Sequence, residues 1–208
     1  MSPFGPRLRL AGATLLVALG VTAGLQPAFA QQQQRSPGRP NPAPTAPVRP
    51  QTLDDLFDRL ARSKSEDEAK GIAGAIERRW MRSGSDTADL LMTRAMDALK
   101  AGDQPLSVEI LDRVITLQPG WAEAWNKRAT VFYLMGDYTR SVADIREVLA
   151  LEPRHFGALA GLGMILKNNG DDKHAYEALK KALAVHPYMS DLRNIVERMA
   201  PDVEGRDI

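Results

Sequence analysis

Few side chains in this sequence could carry proton, nucleophile or metal chemistry, and their spacing assembles no reactive group. The 208-residue chain has three histidines and no cysteine. None of His155, His174 and His186 stands at metal-ligand spacing from another. The missing thiol excludes disulfides, thiolate metal sites, thiol nucleophiles and a lipid-modified cysteine. H-E-x-x-H, G-x-S-x-G and phosphate-loop patterns are absent too. The expectation is a protein that is not an enzyme and needs no cofactor or metal. Lys plus Arg (27) nearly balances Asp plus Glu (26), so nothing marks a nucleic-acid binder. What remains is chemistry suited to recognition. Met92, Met96 and Met164 are soft side chains that fit either a core or an adaptable binding surface. Trp80 and Trp125 are read as packing residues.

These residues must be positioned by helices. From Leu53 onward the composition turns to Leu, Ala, Asp, Glu, Lys and Arg, with apolar residues three and four apart. One period organises the segment. Pro119, Pro153 and Pro187 recur every 34 residues, as do Gly102-Asp103, Gly136-Asp137 and Gly170-Asp171, and the small residues Ala95, Ala129 and Gly163. A repeat of this length is one helical hairpin that stacks on its neighbours, because no unit buries its apolar stripe alone. Gly ends the first helix in a left-handed conformation, Asp favours the turn that follows, and Pro ends the second helix.

The unit from Ala122 carries Trp125, Ala129, Phe132, Ser141, Ile145, Val148 and Pro153 at the places of the tetratricopeptide repeat pattern, which it resembles. The unit from Ala88 supplies Leu91, Ala95, Ala98, Ser107, Leu111, Val114 and Pro119, and the unit from Phe156 supplies Leu159, Gly163, Leu166, Ala175, Leu179, Ala182 and Pro187. The resemblance implies an all-α, right-handed solenoid of helical hairpins. It has three clear units (88–121, 122–155 and 156–189), a degenerate N-terminal helical pair over 53–87 that caps the array, and a capping helix over 190–200. In that cap Ser190 serves as N-cap and Pro201 as stop, before a loosely held polar tail over 201–208.

The resemblance also implies that the first helices line a concave groove. The places carried over give Asp89, Met92, Met96, Leu99 and Lys100 in the first unit, and Glu123, Asn126, Thr130, Tyr133 and Leu134 in the second. The third contributes Gly157, Ala160, Met164, Lys167 and Asn168. The partner-binding residues expected are Met92, Met96, Leu99, Asn126, Thr130, Tyr133, Met164, Lys167 and Asn168, with Asn126 suited to hold a peptide backbone. Arg94 and Arg128 sit at one place of successive units and are read as structural, Arg128 pairing with Asp144. The basic clamp that some relatives use for a C-terminal carboxylate is not reproduced.

Residues 1–30 have the parts of a secretory signal peptide. Arg7 and Arg9 precede the apolar run Leu10 to Leu25, Pro27 breaks it, and Ala28 and Ala30 stand at the cleavage positions. Cleavage is expected after Ala30. The rival reading is an uncleaved anchor, but sixteen apolar residues containing Gly12, Gly20 and Gly24 are short against a span of about 20. Residues 31–52, with six prolines and four consecutive glutamines, read as a disordered leader. The whole is similar to small exported repeat proteins of Gram-negative bacteria. The expected function is non-catalytic binding of an envelope protein or extended peptide in the periplasm, with no transmembrane span after cleavage. The rival is a self-associating structural protein of the envelope, a homo-oligomer without a distinct client.

Overall fold

The computed structural model describes residues 51–205. The signal-like segment 1–30 and all of the Pro-rich leader except Gln51 and Thr52 lie outside them, as do residues 206–208 of the tail. Among the described residues the chain forms nine helices and no strand. They are α1 (Leu53–Ala61), α2 (Glu66–Trp80), α3 (Asp86–Lys100), α4 (Gln104–Leu117), α5 (Ala122–Leu134), α6 (Tyr138–Leu151), α7 (Phe156–Asn168), α8 (Asp172–Val185) and α9 (Ser190–Val203). No helix among the described residues is long and apolar enough to cross a membrane.

The expected units are the pairs α3–α4, α5–α6 and α7–α8, and the second helix of each packs on the first helix of the next. Their shared residues act as expected. Gly102, Gly136 and Gly170 hold φ of 84°, 77° and 79°, a region other residues rarely enter. The aspartates that follow are N-caps of the second helices. Asp103, Asp137 and Asp171 accept hydrogen bonds from the amides of Leu106, Arg140 and His174. Each second helix is C-capped by the residue before the repeat proline, Gln118, Glu152 and His186.

Close approach of the paired helices follows from the small residues. In the first two units the serine hydroxyl donates to the alanine carbonyl opposite, Ser107 to Ala95 and Ser141 to Ala129, both at 2.8 Å. The third unit has Ala175 and Gly163 instead, and Leu179 fills the space where a Gly163 side chain would stand. Separate apolar clusters form along the stack, built on Leu111 and Val114, on Ile145 and Val148, and on Leu179 and Val196.

Three features depart from expectation. The N-terminal pair is helical, but it does not cap the array by stacking on α3. It packs on α8 and on the turns between units. Its aromatic residues decide this: Trp80 stacks on His155 with ring centroids 4.1 Å apart, and Phe57 lies under the Arg154 guanidinium at 4.0 Å. Arg154 also pairs with Asp54 at 2.8 Å, the Tyr188 hydroxyl donates to the Ser63 carbonyl, and the Trp121 indole N–H donates to the Trp80 carbonyl. Thr52, placed at the end of the leader, instead forms a reciprocal cap with Asp55 that starts α1.

The second departure concerns the start of α9. Ser190 is its first helical residue and Met189 its N-cap, with no side-chain hydrogen bond. The third concerns its end. Pro201 does not stop the helix, which runs to Val203 although the proline gives up its own backbone donor. The Glu204 amide still donates to the Ala200 carbonyl, and the turn follows at Gly205, φ 88°. This stretch is pinned rather than loose: the Glu204 carboxylate accepts from the Tyr176 hydroxyl at 2.7 Å and the Lys180 ammonium at 2.9 Å.

Candidate groove site

The expected groove residues separate into three groups. Asn126, Thr130 and Tyr133 of α5 and Met164 of α7 line one cavity of about 270 Å³. Between them α7 presents Gly157 and Gly161, which leave open the space that larger side chains would fill, and Ile145 closes the floor. Met96 and Leu99 are half-buried and pack in the first unit, away from this cavity. Lys167 and Asn168 are exposed near the end of α7, and Lys167 shares with Met164 a different cavity, beside α9.

Met92 is a correction. It is 1% exposed and packs with Ala88, Leu111 and Trp121, so it belongs to the core and presents nothing to a ligand. Glu123 is another. Its side chain turns inward, accepting from His155 Nε2 at 2.9 Å and pairing with Lys127 at 2.7 Å. His155 is the N-cap of α7, its Nδ1 accepting from the Ala158 amide at 3.1 Å, which assigns the proton to Nε2. Burial raises the Glu123 pKa, but the His155 hydrogen bond and the Lys127 charge together outweigh it and hold the carboxyl below its usual range.

This inward carboxylate bears on the groove. Asn126 donates from Nδ2 to Glu123 Oε2 at 3.1 Å, which orients its amide and leaves the carbonyl oxygen to face an incoming donor. Thr130 donates to the Asn126 backbone carbonyl at 2.9 Å, so its hydroxyl oxygen can accept. Tyr133 lies against Tyr138, ring centroids 5.5 Å apart, a contact that fixes the ring at the cavity edge. The cavity thus offers two acceptors, an aromatic wall and a thioether around a pocket with room for a large apolar side chain. Glu123 and His155 were not legible as its support, since a buried carboxylate–imidazole pair joining the two ends of one unit has no sequence spacing of its own.

The Arg128 reading holds. Its guanidinium grips Asp144 through two bonds at 2.8 and 2.7 Å and reaches Asp112 of the preceding unit at 2.6 Å. The Asp144 bonds, followed by those to Asp112, hold the arginine pKa above its ordinary value against the effect of burial. Arg94 is exposed and makes no ion pair among the described residues, its partner position on α4 being Ile110.

Comparison with known proteins agrees with this architecture. The tetratricopeptide repeat model matches residues 122–155 and 156–187. A TPR repeat-containing protein of Rhizobium etli is 41% identical over 155 residues, covering 74% of this chain and 76% of that protein. The chain belongs to the tetratricopeptide repeat family. Solved TPR structures share the fold at low identity. The first TPR domain of Spaghetti, bound to an HSP90 peptide, superposes with a TM-score of 0.53 at 14% identity, over 57% of this chain and 94% of that one. The type III secretion chaperone SycD of Yersinia enterocolitica, in complex with a peptide of the translocator YopD, gives 0.52 at 15% identity, over 58% and 94%.

Proposed function

We propose that this TPR protein is a non-catalytic adaptor that holds an extended segment of an envelope protein in the groove between α5 and α7. The observation that carries the reading is the convergence of Asn126, Thr130, Tyr133 and Met164 on one cavity. A peptide N–H meets the Asn126 carbonyl oxygen, and an apolar side chain enters between Tyr133 and Met164. Peptide complexes of SycD and Spaghetti, which share the fold, support a peptide as the class of ligand. Residues 1–30 are read as the export signal, cleaved after Ala30, which puts the adaptor and its partner in the periplasm.

The test is capture from envelope extract with residues 31–208, wild type beside the Asn126→Ala, Tyr133→Ala double variant. A partner retained by wild type and lost with the double variant supports the reading. Equal retention by both, at matched folding by circular dichroism, refutes the groove. A mature protein found in the cytoplasm refutes the compartment.

A further inference from the structure

A larger cavity, of about 750 Å³, lies where the N-terminal pair meets the end of the array. Only Met164 is common to it and the α5–α7 groove. One wall is α2, which is no part of a repeat, and the others are α7, the turn before α9 and α9 itself. The volume falls in the range of ligand pockets, about 300–1,000 Å³. Its floor is apolar, formed by Met164, Leu192, Ile195 and the ring of Tyr188.

The lining carries three carboxylates, Glu66, Glu77 and Asp191, against one ammonium, Lys70. None of these four side chains makes an ion pair among the described residues. Burial holds the half-buried His186 below its ordinary pKa, so it adds no positive charge at neutral pH. Arg78 reaches over Gly74 from outside the lining.

A second observation is independent of the charges. Gly74 stands in the interior of α2, where glycine costs about 0.5–1 kcal/mol relative to alanine. The fold does not require it, since a side chain there would meet only the flexible end of Arg78, at 3.3 Å. The glycine leaves the α2 wall between Lys70 and Glu77 without a side chain of its own, so only the flexible Arg78 head lies over the helix there, and a bound chain approaches the backbone by moving it aside.

We infer that this cavity is a second peptide site, for a segment that sets a large apolar side chain on the Met164–Ile195 floor and flanks it with arginine or lysine facing Glu66, Glu77 and Asp191. Apolar burial supplies affinity, and the three carboxylates supply sign selectivity and salt dependence. The site does not depend on the groove between α5 and α7 being occupied.

The test is fluorescence anisotropy with two labelled synthetic peptides, one of leucine and arginine and its leucine and glutamate counterpart. The leucine–arginine peptide binds, more weakly as salt rises, and its counterpart does not. Gly74→Leu weakens binding about tenfold or more while thermal stability stays level or rises, and Glu66→Lys with Glu77→Lys does the same. Tyr133→Ala leaves this binding unchanged. Equal binding of both peptides, no binding of the basic one, or indifference to Gly74→Leu and the double charge reversal overturns the inference. Loss on Tyr133→Ala alone moves the peptide to the groove, overturning this site and leaving the adaptor reading intact.

Discussion

Replacing Gly163 by alanine separates two effects that usually travel together. Helix propensity alone stabilises a glycine-to-alanine change in a helix by about 0.5–1 kcal/mol. At Gly163 a new Cβ would stand 2.5 Å from Leu179 Cγ, closer still to Cδ2, and 3.2 Å from the Ala175 carbonyl oxygen. Leu179 is fully buried, among Leu159, Ala175 and Leu192, and cannot turn aside without disturbing α9. Overpacking of this kind costs about 1–3 kcal/mol. Gly163→Ala should therefore destabilise by about 1–2 kcal/mol net, lowering the melting temperature by about 2–8 °C. Gly71→Ala is the control: no atom lies within 4 Å of its Cβ position, so only the propensity gain remains. Urea denaturation followed by circular dichroism measures both. Gly163→Ala as stable as wild type would refute the claim that this residue sets the α7–α8 distance.

Arg128→Ala strands the buried Asp144 and should cost about 3 kcal/mol, whereas Arg113→Ala, whose pair with Glu109 is more than half exposed, should cost less than about 1 kcal/mol; urea denaturation of the two variants checks the contrast. Trp80→Ala removes the stack on His155 and should detach α1–α2 from the array, so limited proteolysis should cleave within residues 81–85 at a protease dose that leaves wild type intact. The depressed Glu123 carboxyl contributes stability that is fully present above its unfolded pKa of about 4.3 and is lost as pH falls through the lower folded value. Glu123→Gln should accordingly flatten the fall in stability on acidification below about pH 4.3, read from denaturation midpoints.

The repeat units were legible because each marker acts locally. Gly102, Gly136 and Gly170 need their left-handed backbone, and the following aspartates need their caps, whatever the rest of the chain does. Placement of α1–α2 was not legible in that way. It rests on Trp80 finding His155 and on Arg154 finding Asp54, partners 75 and 100 residues away that obey no period. The groove was half legible for the same reason. Asn126, Thr130 and Tyr133 share one helix face, so their convergence follows from spacing. The burial of Met92 and Glu123 is set by residues at the far end of the same unit, Trp121 packing in the cluster that buries the first and His155 capturing the second. Helix α9 outran its proline, and the backbone bond from the Glu204 amide to the Ala200 carbonyl that carries it on leaves no mark in the sequence.

Light-induced cross-linking tests the central claim most directly, with a photo-reactive amino acid at Thr130, on the groove, or at Glu147, on the exposed face of α6. The account predicts a protein adduct from Thr130 in envelope extract and none from Glu147. Adducts from Glu147 alone, or the same adduct from both positions, would contradict it.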